Sequence, residues 1–168
     1  MEAYELLKTL SIRNVVLIER LDLTFEGGLS ALTGETGSGK SILLDSLGLG
    51  TGMRGDADLV RQGQSQSTVT AEFDTPDNPV VTSLLEDQGV ETDGAIILRR
   101  VVKQDGRSRA FINDQPVSIG FLRQIGGYLV EVHGQMEVRG LLDPATHGNY
   151  VDSFGKLRPQ LARVAECY

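Results

Sequence analysis

An α/β fold, in which a mixed sheet carries additional antiparallel hairpins, is what this 168-residue sequence predicts. Three observations predict it. A short apolar run at 29–33 leads into a glycine-dense loop, after which Ile42, Leu43, Leu44 and Leu47 recur at helical spacing. Before that loop, residues 6–25 alternate apolar and polar with period two in short runs. After it, alternating runs at 96–102 and 109–112 flank Gln104-Asp105-Gly106-Arg107, whose Asp-Gly pair suits a hairpin turn.

The elements follow in order. Residues 10–13, 16–18 and 21–25 are expected to form antiparallel strands, with a tight turn near Arg13-Asn14 and a stop at Glu26-Gly27-Gly28. The run 29–33 is expected as a strand entering the loop. The helix after the loop should end among Gly48, Gly50, Gly52 and Gly55. Residues 69–73 alternate as a strand, and 79–88 read as a helix begun near Asp77-Asn78 and stopped by Gly89. Asn113-Asp114-Gln115-Pro116 reads as a turn, 118–125 as a helix, and 128–132 as a strand ending at His133-Gly134-Gln135. Residues 144–154 are expected to be helical. Leu157, Leu161, Val164 and Tyr168 are spaced four, three and four apart, the rhythm of a coiled coil. No helix-ending residue precedes Tyr168, so this arm is expected to continue beyond it.

Composition bounds the function. With 40% hydrophobic and 23% charged residues the chain can build a core. Sixteen Lys and Arg against 23 Asp and Glu give a net charge of -7, which disfavours phosphate binding by the surface as a whole but permits a local basic patch. A single cysteine, Cys167, excludes an intramolecular disulfide, and with His133 and His147 it cannot furnish a structural zinc site. Residues 1–10 carry Glu2, Glu5 and Lys8, and no run approaches the ~20 apolar residues of a membrane-spanning helix. The expected setting is soluble and intracellular.

The sharpest feature is Gly34-Glu35-Thr36-Gly37-Ser38-Gly39-Lys40-Ser41, which fits G-x-x-x-x-G-K-[ST] at every fixed position. Glycines let the backbone wrap closely round phosphate oxygens with its N–H groups turned inward. Lys40 would reach the β- and γ-phosphates, the Ser41 hydroxyl would ligate Mg²⁺, and the helix through Ile42 would add its positive end. A glycine-rich turn that merely looks the same is the plain alternative. The fixed positions arise by chance in roughly one chain in a hundred of this length, and the strand–loop–helix setting is the one the chemistry needs. A hydrolysing enzyme of this class also carries an apolar strand ending in Asp, often followed by Glu. The apolar runs here end instead in Arg99-Arg100, Glu72-Phe73-Asp74 and Glu131-Val132-His133, and no Leu-Ser-Gly-Gly-Gln-like stretch occurs. Phosphate binding is therefore expected with part of the catalytic apparatus lacking.

A phosphate loop within the first forty residues, preceded by a strand pair, resembles the N-terminal half of an SMC-type ABC ATPase head. The likeness narrows to the RecN family of bacterial SMC-like double-strand-break repair proteins. It is carried by Leu10-Ser11-Ile12-Arg13-Asn14, by 33–41, and by Asp45-Ser46-Leu47-Gly48-Leu49. It continues in Gly106-Arg107-Ser108-Arg109-Ala110-Phe111-Ile112-Asn113, in Val130-Glu131-Val132-His133-Gly134-Gln135 and in Leu141-Leu142-Asp143-Pro144. The resemblance implies a P-loop NTPase fold of ABC/SMC head type: residues 1–155 as the N-terminal lobe and 156–168 as the start of a coiled-coil arm. Walker B and signature motifs would lie beyond that arm, which accounts for their absence here. Two departures stand out: Ser38 where relatives often have Ala, and Met136 and Val138 where further histidines are usual.

The resemblance also implies roles. Gln135 would be the Q-loop residue, its amide oxygen binding Mg²⁺ and sensing the γ-phosphate, so that Lys40 and Gln135 share the catalytic work with a glutamate from the missing half. His133 would orient that loop or simply satisfy a backbone group. Arg13 and Asn14 would approach base or ribose, and Arg61 lies in a second family-like stretch; a plain surface role for either is the alternative. ATP and Mg²⁺ are the implied cofactors. The C-terminal half of the same head, a second head across sandwiched ATP, and DNA are the implied partners, in the cytoplasm at the nucleoid.

Arg99, Arg100, Lys103, Arg107 and Arg109 face the single acid Asp105 within eleven residues, a basic ridge on an acidic chain. It reads either as a DNA contact, steeply salt-dependent, or as a solvated hairpin with arginines paired inside the fold. Other classes stay in view: a non-hydrolysing nucleotide-binding assembly module, or another P-loop ATPase. A helicase of the kind sharing this loop would follow Lys40 with two threonines and a glutamine, where Ser41-Ile42-Leu43 stands. A transporter subunit would carry its remaining motifs within about the next hundred residues.

Overall fold

The computed structural model describes residues 7–35, 39–55, 57–76, 78–130 and 155. The chain divides into two compact units, Met1–Val132 and His133–Tyr168, and every described residue except Gly155 lies in the first. The expected helix at 144–154 and the heptad from Leu157 fall outside the described residues.

Six strands make one sheet: β1 (Leu7–Val15), β2 (Ile18–Thr24), β3 (Gln66–Asp74), β4 (Ala95–Lys103), β5 (Ser108–Ile112) and β6 (Gln115–Val117). Their order is β2-β1-β3-β4-β5-β6, and every neighbouring pair is antiparallel. Period-two alternation does what it should. Leu10, Ile12, Val69, Ala71, Phe73, Ile96, Leu98, Val102, Ala110 and Ile112 fall on one face and are buried, while Thr9, Ser11, Thr68, Thr70 and Arg109 fall on the other.

Three helices cover the buried face with Leu49, Val81, Leu85, Leu122, Ile125 and Leu129, which join the strand residues in one apolar core. They are α1 (Lys40–Gly50), α2 (Pro79–Asp87) and α3 (Ile119–Leu129). α1 packs on β1, β3 and β4, and α3 on β5. Small residues set that closeness: a methyl added at Gly50 would meet Val69 Cγ1 at 3.1 Å. A side chain at Gly52 would sit 2.6 Å from the Arg123 backbone, and one at Gly126 would overlap the Thr51 carbonyl.

Three expectations are corrected. The run 29–33 forms no strand. The sheet closes on β2 and β6, and no described strand lies beside the run to complete a ladder. Gln115-Pro116 belongs to β6 rather than to a turn, with the reversal made by Asn113 and Asp114 at φ 46 and 62. Tyr128 and Leu129 continue α3 instead of starting a strand, because Leu122, Ile125 and Leu129 are spaced to bury one helical face; the chain turns extended only at Val130.

Candidate functional site

α1 begins where the phosphate-loop motif places it. Gly39 is its N-cap at φ 95, a left-handed conformation that glycine takes without strain, and Leu43 N donates to Gly39 O at 3.2 Å to close the first turn. An added Cβ at Gly39 would touch nothing within 4 Å, so the demand for glycine is conformational rather than steric. The N-cap Gly39 offers no side-chain cap, and the first turn of α1 holds no acid. α2 and α3 are instead capped by Asn78, which accepts from Val80 N at 3.1 Å, and by Ser118, which accepts from Phe121 N at 3.0 Å.

Lys40 folds back over the loop. Its Nζ donates to Gly34 O and, at 2.6 Å, to Glu35 O. These are neutral carbonyl acceptors, which an anionic phosphate oxygen outcompetes for an ammonium. Ser41 is exposed in the first turn and Ile42 is half-buried against the core. Gly34 and Glu35 are exposed. Thr36, Gly37, Ser38, His133 and Gln135 lie outside the described residues.

Arg13 and Asn14 serve the hairpin that carries them. Arg13 Nη1 donates to the carbonyls of Ile12 at 2.9 Å and Leu21 at 3.2 Å, and Nη2 pairs with Asp22 Oδ1 at 2.7 Å. Asn14, at φ 54, turns the chain and accepts from Arg61 N at 2.9 Å. Arg61 Nη1 also reaches Leu17 O at 3.3 Å and its Nη2 lies 3.6 Å from Glu19, so Arg13, Asn14 and Arg61 converge on the β1–β2 turn. Asp22 escaped the sequence reading. It receives Ser11 Oγ and pairs with both Arg13 and Arg20, and its carboxyl is held down to about 2, by the Ser11 hydroxyl first and the arginines after it. The register Ser11↔Asp22 and Arg13↔Arg20 is the signal that finds it.

The basic hairpin is real but its five cations do not act alike. Arg100 is corrected outright: alternation puts it on the helix-covered face, 3% exposed, with Nε and Nη1 lacking partners among the described residues. Burial lowers its guanidinium from the ordinary value. Arg99 lies over the Phe111 ring at 4.0 Å and pairs with Asp114 at 2.8 Å. Arg107 is held by Asp105, which takes Nε at 2.7 Å and the backbone N at 3.0 Å; that pairing raises the guanidinium and lowers the carboxyl. Lys103 and Arg109 point outward beside each other. A recess of about 40 Å³ opens between Val101, Lys103, Arg107 and Arg109.

A family model described as AAA domain matches residues 9–137, and so takes in the phosphate loop, the hairpins and α3. The chain belongs to the AAA-domain family. That family is one of ATPases, which supports ATP hydrolysis as its general chemistry. The chain is similar to the DNA repair protein RecN of Vibrio cholerae, 40% identical over 149 residues that cover 89% of this chain and 27% of that protein. It is also similar to the DNA repair proteins RecN of Halalkalibacterium halodurans (40%, covering 97% and 29%) and Bacillus subtilis (37%, covering 89% and 26%). The chain thus spans under a third of the length of these curated relatives. Among solved structures, it superposes on the Smc head domain with an extended coiled coil from Pyrococcus furiosus with a TM-score of 0.63 at 20% identity, covering 96% of this chain and 47% of that one. The recombination mediator RecF bound to ATP gives 0.54 at 18% identity over 70% of this chain and 29% of that one. The fold is that of an SMC-type P-loop ATPase head.

Proposed function

We propose that this chain is the nucleotide-holding half of an SMC-like ATPase head, acting in recombinational repair of double-strand breaks at the bacterial nucleoid. The observation that carries the nucleotide reading is the start of α1. A left-handed Gly39 opens the helix, and the Lys40 ammonium folds over the same loop. Amides, helix dipole and ammonium together suit a triphosphate.

Mg²⁺ fits the same place. Ser41, exposed in the first turn, offers its hydroxyl, while Gln135 lies outside the described residues. Held there by Ser41, a magnesium ion would supply neutralisation of the phosphate charge. In this reading Lys40 and the amides of 34–42 hold the triphosphate still, and Lys40 stabilises charge as it builds on the γ-phosphoryl oxygens. Arg13, Asn14 and Arg61 position the β1–β2 turn toward base and ribose.

The chain's span, under a third of its relatives' length, supports a catalytic apparatus completed by a C-terminal half. Leu29 and Leu32 are 98% and 56% exposed, as an apolar strand awaiting a neighbour from that half would be. Two such heads would sandwich ATP, and their engagement would hold broken DNA ends. Steady-state assays test this: the 168-residue chain alone should bind Mg-ATP with negligible turnover, and added C-terminal half should raise turnover. Turnover by the chain alone would favour a self-sufficient P-loop ATPase, and binding with no turnover in either condition would favour an assembly module.

A further inference from the structure

We propose that Lys103 and Arg109, on the outward face of the β4–β5 hairpin, form a seat for the phosphodiester backbone of DNA. This gives a location to the DNA half of the reading above, rests on that half alone, and is independent of the nucleotide loop. The argument starts from strand alternation. Residues 99, 101 and 103 of β4 and 109 and 111 of β5 face away from the helices, and Val101 pairs with Arg109. Lys103 N donates to Arg107 O at 2.8 Å, which fixes the hairpin's last rung. Lys103 and Arg109 are thus diagonal neighbours on one face, within roughly 7–8 Å.

Charge then selects between the five cations. Arg100 is buried, Arg99 is taken by Asp114 and Phe111, and Arg107 by Asp105. Among the described residues no carboxylate pairs with Lys103 or Arg109; Lys103 acts on Asp105 only at longer range. Two like charges side by side repel unless an anion lies between them. The recess is lined by Val101, the two cations and Arg107.

The surroundings favour a polymer over a lone anion. Next to the recess, β3 presents Gln66 opposite Lys103 and Thr68 opposite Val101, uncharged groups able to donate to a neighbouring phosphate. The acids of β3 on this face, Glu72 and Asp74, stand at the far end, opposite Ile97 and Ala95. A lane of donors running off a cationic pocket matches a strand that places one charge every ~3.4 Å. On a chain of net charge -7, any DNA affinity must come from such a local patch.

The test is fluorescence anisotropy with a 30-base-pair duplex and the full 168-residue chain, titrated at several salt concentrations. The double variant Lys103→Ala with Arg109→Ala should bind about tenfold or more weakly at low salt, with a log–log salt slope smaller by about 2. Its thermal unfolding and its Mg-ATP titration should match the parent, since both side chains point to solvent away from the loop. Unchanged affinity and slope in the double variant would overturn the proposal. So would a parent chain that binds Mg-ATP but no duplex, which leaves the nucleotide reading standing. Competition by inorganic phosphate or polyglutamate as effective as unlabelled duplex at equal charge would also overturn it, in favour of a generic anion or acidic-protein site.

Discussion

Asp22 shows how one exposed side chain sets local geometry. It gathers the Ser11 hydroxyl and the Arg13 and Arg20 guanidinium groups across the β1–β2 pair, and so orients the arginine that the motif had offered for nucleotide. Its carboxyl titrates near 2 in the folded chain because that hydroxyl and those cations favour the charged form. The unfolded chain takes up the proton at the ordinary value, so the stabilisation is complete above about pH 4–5 and is lost as pH falls toward 2. Urea midpoints between pH 5 and pH 2.5 should fall more steeply for the parent than for Asp22→Asn, and equal slopes would remove Asp22 from this role. Lys40 stands at the same scale. Its place at the start of a helix after a glycine-rich loop was legible in eight letters of sequence, because such a loop is a local backbone device. The partners of Arg13, Arg99 and Arg100 were not, because they depend on which strand lies alongside and which face the helices cover.

At the scale of elements, the hairpins and helices were read from periodicity and turn chemistry with few errors. Asn78 and Ser118 sit at the caps where their side chains bond the first turns of α2 and α3. The failures share one cause. Whether 29–33 forms a strand is decided by a neighbour rather than by its own residues, and Tyr128 and Leu129 follow the buried stripe of α3 despite their strand preference. The close contact of the Thr51–Gly52 turn with α3 is likewise invisible to periodicity, since it rests on glycines. Gly126→Ala drives a methyl into the Thr51 carbonyl and should destabilise by about 1–3 kcal/mol. Gly127→Ala, with nothing within 4 Å, should be neutral or stabilise by up to about 1 kcal/mol. Thermal denaturation of the pair checks this, and equal midpoints would show that the helices are not packed so closely.

For the whole molecule, family and fold were open to sequence reading because the phosphate loop, the strand pair and the later stretches keep the order of an SMC-type head. The proposal that a further half completes the head starts from apolar runs that end in Arg-Arg or in Val-His instead of Asp-Glu. The exposed Leu29 and Leu32 support it. With the C-terminal half present, turnover should appear and amide exchange at 29–33 should slow; turnover that appears without slower exchange would place the completing surface elsewhere.

The claim on which the account depends is that the loop amides and one ammonium grip a triphosphate. Calorimetric titration of Mg-ATP into the parent chain and into Lys40→Ala tests it most directly. The account predicts saturable one-site binding by the parent and a loss of about 2–3 kcal/mol, roughly 30–150-fold, in a variant that still unfolds cooperatively near the parent midpoint. Equal affinities in two folded proteins would contradict it.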